Sequence, residues 1–385
     1  MLILANIRWN GHIHCSVKMA GMANELQTLE RDTVEKLVET LQTLPQVHAD
    51  LPVWEPQPHR REIDAEVDFM AGDRHHVLLI EVKRDVYPRD VRQILWQIKN
   101  YADATRNRDP EKSVVPLLAA ESISAGAKDL LKEENVGYFD TGGSLFIPAH
   151  GVYVYIEKPP PKTLQRATRA LFKGKASQVL HALLQRREAW MGVKEVADLA
   201  QVSPATASAT LTALERLDWV SSRGQGRSKE RRLSAPTALL NEWKKQVLAV
   251  RPPLIRRYYV SAADVTELPG RLDRACEASG VEYVITQEAA AQVYAPYLST
   301  ILRVACRLAP GRDADAALSK LGARVVSEGA NLVVLETSSQ GEFLFKERHD
   351  SVWLASPLQV YLDLLRSGGR AQEAAEHLRR ERIGA

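Results

Sequence analysis

Cysteine is scarce in this chain, with three in 385 residues at Cys15, Cys276 and Cys306. An odd, widely spaced set excludes a disulfide framework and points to a reducing cytoplasm. No Cys and His stand at zinc-site spacing. His12-Ile-His14-Cys15 comes nearest to a metal cluster, and no partner pair follows it. No apolar run approaches the roughly 20 residues that a membrane helix needs, so no membrane is expected as a partner. Internal repeats, low-complexity tracts, a Gly-rich phosphate loop and a Ser/His/Asp arrangement are also missing. Charge is nearly balanced, 51 Lys and Arg against 48 Asp and Glu, for a net +3. That excludes a uniformly basic surface, so any case for nucleic acid must come from local patches.

What is present describes a globular protein, 45% hydrophobic and 26% charged. The length exceeds one ordinary core and predicts two or three domains. Residues 1–22 read as a leader expected to be disordered, without a convincing signal peptide, and Met19 or Met22 offers an alternative start. Residues 23–158 alternate strand and helix patterns, opening with an apolar helical face over 25–44 (Leu26, Leu29, Val34, Leu37, Val38, Leu41). Pro159-Pro-Pro161 marks a stiff linker, followed by the cations Lys162, Arg166, Arg169, Lys173 and Lys175. Residues 159–250 turn helical. Residues 251–385, beyond Arg251-Pro-Pro253, return to mixed α/β.

The densest chemistry lies in residues 63–101. Two strand-like runs, Ile63–Met70 and Val77–Val82, flank a polar turn at 71–76. Asp68 stands near the end of the first, and Glu81-Val82-Lys83 closes the second. Strand alternation turns Glu81 and Lys83 to one face, with Leu78, Ile80 and Val82 inward. Paired as a hairpin, the runs let Asp68 approach Glu81. Two carboxylates and an ammonium on one small surface suit a divalent cation and an anion. An ordinary charged surface hairpin has the same pattern.

This arrangement resembles the PD-(D/E)xK nuclease superfamily, with Asp68, Glu81 and Lys83 matching its two acids and lysine. The helix that follows carries Gln93, Gln97 and Tyr101 on one face, similar to the Gln-xxx-Tyr element of the exonuclease branch. The resemblance implies a restriction-endonuclease-like α/β domain. It implies Mg²⁺ held by Asp68, Glu81 and the Val82 carbonyl, with Lys83, Gln97 and Tyr101 completing a catalytic set. Glu35 or Glu39 could add a carboxylate, as in resolvase-like relatives, although surface glutamates usually serve ordinary ion pairs. Many such folds bind DNA without cutting it, so enzyme activity stays open.

Three short helices are predicted at 176–184, 193–200 and from Ser203-Pro204 to about 217, the last with a hydroxyl N-cap and Pro at its first position. Ser203, Thr206, Ser208 and Thr210 place short hydroxyls on that third helix, suited to phosphate and base contacts. A glycine-containing hairpin follows, with Arg223, Arg227, Lys229, Arg231 and Arg232 at its tip. The order resembles the winged helix-turn-helix of bacterial regulators, and such a wing would lie along the phosphates of double-stranded DNA. A helical protein-interaction module with a solvated charge run is the alternative. Winged-helix regulators often dimerise on palindromes, which suggests a homodimer.

In the last region Asp264, Asp273, Glu336 and Glu347 could be read as a transferase site, but their spacing does not require one. Residues 175–385, including the closing Ala355-Ser-Pro-Leu-Gln-Val-Tyr-Leu-Asp-Leu-Leu run, resemble AbiEi-type antitoxins of type IV toxin–antitoxin systems. That resemblance implies autorepression and a toxin-system partner, and the nuclease-like N-terminus departs from it. The expected function is a sequence-specific transcriptional regulator. The alternatives are a Mg²⁺-dependent nuclease targeted by the winged helix and a non-enzymatic antitoxin.

Overall fold

The computed structural model describes residues 11–54, 63–108, 113–298, 300–337 and 339–384. They divide into two compact units, residues 1–167 and 168–385. Of the expected leader over residues 1–22, residues 1–10 lie outside the described residues, as do the side chains of His12, His14 and Cys15, while 11–22 fall in the first helix.

The first unit runs α1 (Gly11–Gln42), β1 (Val47–Ala49), β2 (Val53–Trp54), β3 (Ala65–Ala71), β4 (Arg74–Val86), α2 (Pro88–Arg108), β5 (Ser113–Ile123), α3 (Ala125–Glu133), β6 (Gly137–Asp140), β7 (Leu145–Ala149) and β8 (Val152–Ile156). Its eight-stranded mixed sheet has the order β1-β3-β4-β5-β6-β7-β8, with β2 added on β3. One sheet face packs Ala65, Val67, Leu78, Ile80 and Val82 against Val34, Leu37 and Leu41 of α1. The opposite face is covered partly by α2, through Val91, Ile94 and Ile98 and through Tyr101 and Ala102 against Val77 and Leu79. Alternation in β3 and β4 thus sorts two cores to two sides.

The β3–β4 hairpin is tighter than its sequence suggests. The turn is not the six residues 71–76 but Gly72-Asp73 alone, closed by the pair Ala71↔Arg74. Gly72 has φ 59, which glycine adopts without steric cost. Arg74 and His75 extend β4 by pairing with Ala71 and Met70 of β3, and the parallel pairing with β5 starts at His76↔Ser113. His76 is wholly buried, with Nδ1 2.8 Å from Ser113 Oγ.

Helix α4 (Lys162–Leu171) crosses the division between the units. The second unit continues α5 (Gly174–Gln185), β9 (Met191–Gly192), α6 (Val193–Ala200), α7 (Pro204–Arg216), β10 (Val220–Arg223), β11 (Glu230–Leu233) and α8 (Pro236–Ala249). Then come β12 (Ile255–Tyr259), α9 (Leu268–Glu277), β13 (Tyr283–Thr286), α10 (Gln287–Tyr294), β14 (Val304–Leu308), α11 (Arg312–Lys320), β15 (Arg324–Val325), β16 (Leu332–Glu336), β17 (Glu347–His349), β18 (Val352–Leu354), α12 (Pro357–Leu364) and α13 (Arg370–Leu378). Strands β9–β11 form a small three-stranded sheet, and β12–β18 form a seven-stranded mixed sheet.

The expected separation of residues 159–250 from 251–385 is bridged by one hydrophobic cluster. It runs from Leu171, Leu180 and Leu183 through Trp243 to Leu358 and Leu378. Polar bonds stitch the same seam. His181 Nε2 lies 2.9 Å from Ser356 Oγ, and Lys244 Nζ lies 2.6 Å from Glu376. Arg187 donates to the Ile383 carbonyl at 2.7 Å. These partners are more than a hundred residues apart, so local pattern could not disclose them.

Candidate nucleic-acid interface and carboxylate cluster

In the second unit, α5, α6 and α7 pack around Leu180, Leu183, Val196, Ala200, Ala207, Leu211 and Leu214. Helix α6 ends at Gln201, whose φ of 54 makes the tight left-handed turn into α7. Ser203 caps α7 by accepting from Thr206 N at 3.1 Å, and Pro204 follows at the first helical position. The hydroxyls divide by helix face. Ser203 is exposed and Thr206 and Ser208 are half-buried, whereas Thr210 is buried and donates to the Thr206 carbonyl at 2.9 Å. Thr210 therefore belongs to the core side of α7, contrary to the expected base or phosphate role. The outward stripe is Ala205, Ser208, Ala209, Thr212 and Arg216. Thr212 and Arg216 were missed, although counting three and four residues onward from Ala205 would have found them.

The basic hairpin also divides. Arg227 is exposed at the tip, between Gly224 at φ 73 and Ser228. A Cβ on Gly224 would meet the Ser228 carbonyl oxygen at 2.6 Å, so glycine is required there. Arg223, with its side chain 56% exposed, pairs with Glu230 across the hairpin at 2.7 Å. Arg223 and half-buried Arg232 both lie over the Trp190 ring, at 4.6 and 5.0 Å from its centre. Arg231 is different. It is buried, and its Nε donates to Glu215 Oε1 of α7 at 2.9 Å. Lys229 binds the same carboxylate at 2.9 Å. Burial alone would push Glu215 up, but the hydrogen bonds from Lys229 and Arg231 outweigh it and hold the carboxyl below its usual range. Arg231 fastens the wing to α7 and has no surface left for a phosphate. Alternation in β11 carried the signal: Arg231 and Leu233 point in, Glu230 and Arg232 out.

The sequence model of the IclR helix-turn-helix domain matches residues 174–224, from α5 through β10. Residues 174–224 are a helix-turn-helix DNA-binding domain. With the β9–β11 sheet they make a winged helix, as a DNA-binding transcriptional regulator carries. No curated protein and no solved structure matches the chain. Among the described residues, no helix is long and apolar enough to cross a membrane.

In the first unit the expected trio is only partly assembled. Asp68 sits opposite Val77, four residues from Glu81 along β4. At about 3.3 Å per residue that is roughly 13 Å, too far for a shared ligand. Asp68 pairs instead with His75 at 2.9 Å. The residue brought to Glu81 is Asp64, which sequence reasoning passed over. Asp64 N donates to the Ile80 carbonyl at 3.0 Å, and Asp64 Oδ2 accepts from Val82 N at 2.7 Å. The tight Gly72-Asp73 turn sets this register, so the turn length decided which acid reached Glu81. Lys83 is where it was expected, 2.5 Å from Glu81 Oε1 and with its side chain 41% exposed. Burial first, then the Asp64 charge, raises the Glu81 carboxyl above its usual range, and Lys83 offsets part of this. Tyr101 is buried under the same sheet face and donates to Glu66 at 3.5 Å; Gln97, one turn earlier, is half-buried. No group of three or more His, Cys, Asp or Glu among the described residues stands ready to hold a metal. Two carboxylates with water suffice for Mg²⁺, which keeps several waters in most protein sites.

Proposed function

We propose that this chain is a transcriptional regulator that reads its own promoter with α7 and clamps the flanking phosphates with its wing. The observation that carries this is the outward stripe Ala205, Ser208, Ala209, Thr212 and Arg216, aligned on the helix that follows the turn. Small side chains let a helix backbone approach the floor of the major groove, where Ala and Thr methyls contact thymine methyls and hydroxyls bond base edges. Arg227 and Arg223 at the wing supply sequence-independent phosphate contacts. Purified protein should retard promoter DNA discretely and resist excess unrelated duplex. Equal affinity for both DNAs would remove the regulator reading.

The Asp64–Glu81–Lys83 geometry favours a second reading, a Mg²⁺-dependent nuclease site. Asp64 and Glu81 would hold the cation, and a bound cation would supply an activated water and charge neutralisation at a phosphate. Lys83 places an ammonium beside Glu81, where it can bond a phosphate oxygen or orient water. Gln97 and Tyr101 border the same sheet face, while Asp68 would stay outside. The same promoter DNA incubated in Ca²⁺ and then in Mg²⁺ or Mn²⁺ separates the readings. Cleavage abolished by both Asp64→Asn and Lys83→Ala but retained by Asp68→Asn supports the nuclease. Intact DNA in every metal leaves a regulator alone.

A further inference from the structure

A cavity of about 610 Å³ opens between the winged helix and the seven-stranded sheet of the second unit. Helices α5 and α8 form one wall, β12, β14 and β16 another, and α12 closes the end. The volume suits a small organic molecule. Phe172, Trp243, Val247, Val333, Leu335 and Leu362 give it an apolar body.

Its charge is lopsided. Six Lys and Arg line it against two carboxylates, Glu342 and Asp363. Both carboxylates are already bound to Arg307, which reaches Asp363 at 2.5 and 2.8 Å and also pairs with Glu342. Lys173, Arg251 and Arg257 are exposed at the rim and have no acidic partner among the described residues. The mouth is therefore cationic and uncompensated.

Two details mark the cavity's lining. Gln178 is 3% exposed, and its Oε1 is buried with no hydrogen-bond partner among the described residues. Such an orphan amide oxygen costs free energy unless a ligand or water answers it. Gly341 leaves room for it, because a Cβ there would stand 2.7 Å from Gln178 Cγ. Gln287, also lining the cavity and buried, adopts φ 55, a left-handed conformation that a non-glycine residue keeps only when its surroundings impose it.

We propose that this cavity binds a small organic anion with an apolar body. Its acidic group meets the Lys173, Arg251 and Arg257 rim, and a donor on the ligand meets Gln178 Oε1. The occupied cavity reports to the DNA-binding helices. Gln178 and His181 lie on α5, which packs against α6 and α7 in one core. Arg366, also lining the cavity, donates to the Val247 and Val250 carbonyls at the end of α8. This linkage rests on the DNA-binding reading; the binding site itself does not.

The full-length protein is titrated with 8-anilinonaphthalene-1-sulfonate, an aromatic sulfonate, and in parallel with N-phenyl-1-naphthylamine, which lacks the sulfonate. A saturable sulfonate site is expected, weakened about tenfold by Arg251→Glu with Arg257→Glu, while the uncharged dye binds that variant as before. Gln178→Met should weaken the sulfonate by less, without loss of thermal stability. Equal sulfonate affinity in the charge-reversed and unaltered proteins, or parallel loss of both dyes, overturns the site. Promoter affinity is then measured with and without saturating sulfonate dye. A shift supports the linkage. An unchanged affinity overturns the linkage and leaves the site standing. Absence of promoter binding under both conditions instead sinks the regulator reading, with the dye titration still reporting on the cavity.

Discussion

In the N-terminal unit Glu81 pairs with one ammonium, Lys83, beside the charge of Asp64; in the winged helix Glu215 is held by both Lys229 and Arg231. Both Glu81 and Glu215 are buried, yet their carboxyls shift in opposite directions. The oversupplied carboxylate is a fastening, because every charge in it is answered from within the fold. At Glu81, burial and the neighbouring Asp64 charge outweigh the bond from Lys83 and disfavour the charged carboxyl. Two buried glutamates thus shift apart by the local balance of charge, which their sequence neighbours do not reveal.

The largest test of this contrast is Glu215→Gln against Glu81→Gln. Removing one partner of a buried ion pair costs about 3–5 kcal/mol, so Glu215→Gln should unfold the second unit at markedly lower denaturant. Glu81→Gln removes a repulsion and should leave the first unit as stable or more so, read from the same urea curves. A smaller effect is expected on DNA. Arg227→Ala should weaken promoter binding and lower the salt slope by about 1, as for a single phosphate contact. Arg231→Met, by contrast, should lower the unfolding midpoint, and an unchanged midpoint would show that Arg231 is not the fastening.

The smallest effects are in pH, measured in metal-free buffer. Glu81 titrates above its unfolded value of 4.5, so its protonated form is favoured in the folded state. Its stabilising contribution is present below 4.5 and fades as pH rises through the raised folded value. Glu215 behaves oppositely: its contribution is present above 4.5 and disappears as pH falls through the depressed folded value. Glu81→Gln should flatten the stability profile only above 4.5, and Glu215→Gln only below it. Carboxyl carbon NMR sharpens the first half. Asp64→Asn should bring the Glu81 titration down, whereas Asp68→Asn, at its distance, should leave it in place.

The local parts of the fold were legible in sequence. Ser203-Pro204 announced α7 because cap and proline act within one turn. Helix α1 showed its buried face through Val34, Leu37, Val38 and Leu41. What sequence missed depended on register or on distance. A six-residue turn and a two-residue turn are both compatible with residues 71–76, and the β3–β4 pairing through Met70↔His75 and Ala71↔Arg74 selects the shorter. That choice replaced Asp68 with Asp64 as the partner of Glu81. The wing cations looked alike until Glu215, fourteen residues before Lys229, claimed two of them. Helix α8 and strand β12, on either side of Arg251-Pro-Pro253, received no reading of their own, although Leu239, Leu240 and Trp243 are buried at one helical face.

The seam of His181, Ser356, Lys244, Glu376 and the shared apolar cluster has a consequence for how the molecule comes apart. A winged helix is commonly treated as a portable module that can be excised and grafted. Here, cutting at residue 250 would strip Leu180, Leu183 and Trp243 of their cover and leave insoluble halves. Limited proteolysis should accordingly release two resistant fragments that meet near residue 167, with the reading head and the C-terminal sheet surviving or melting together.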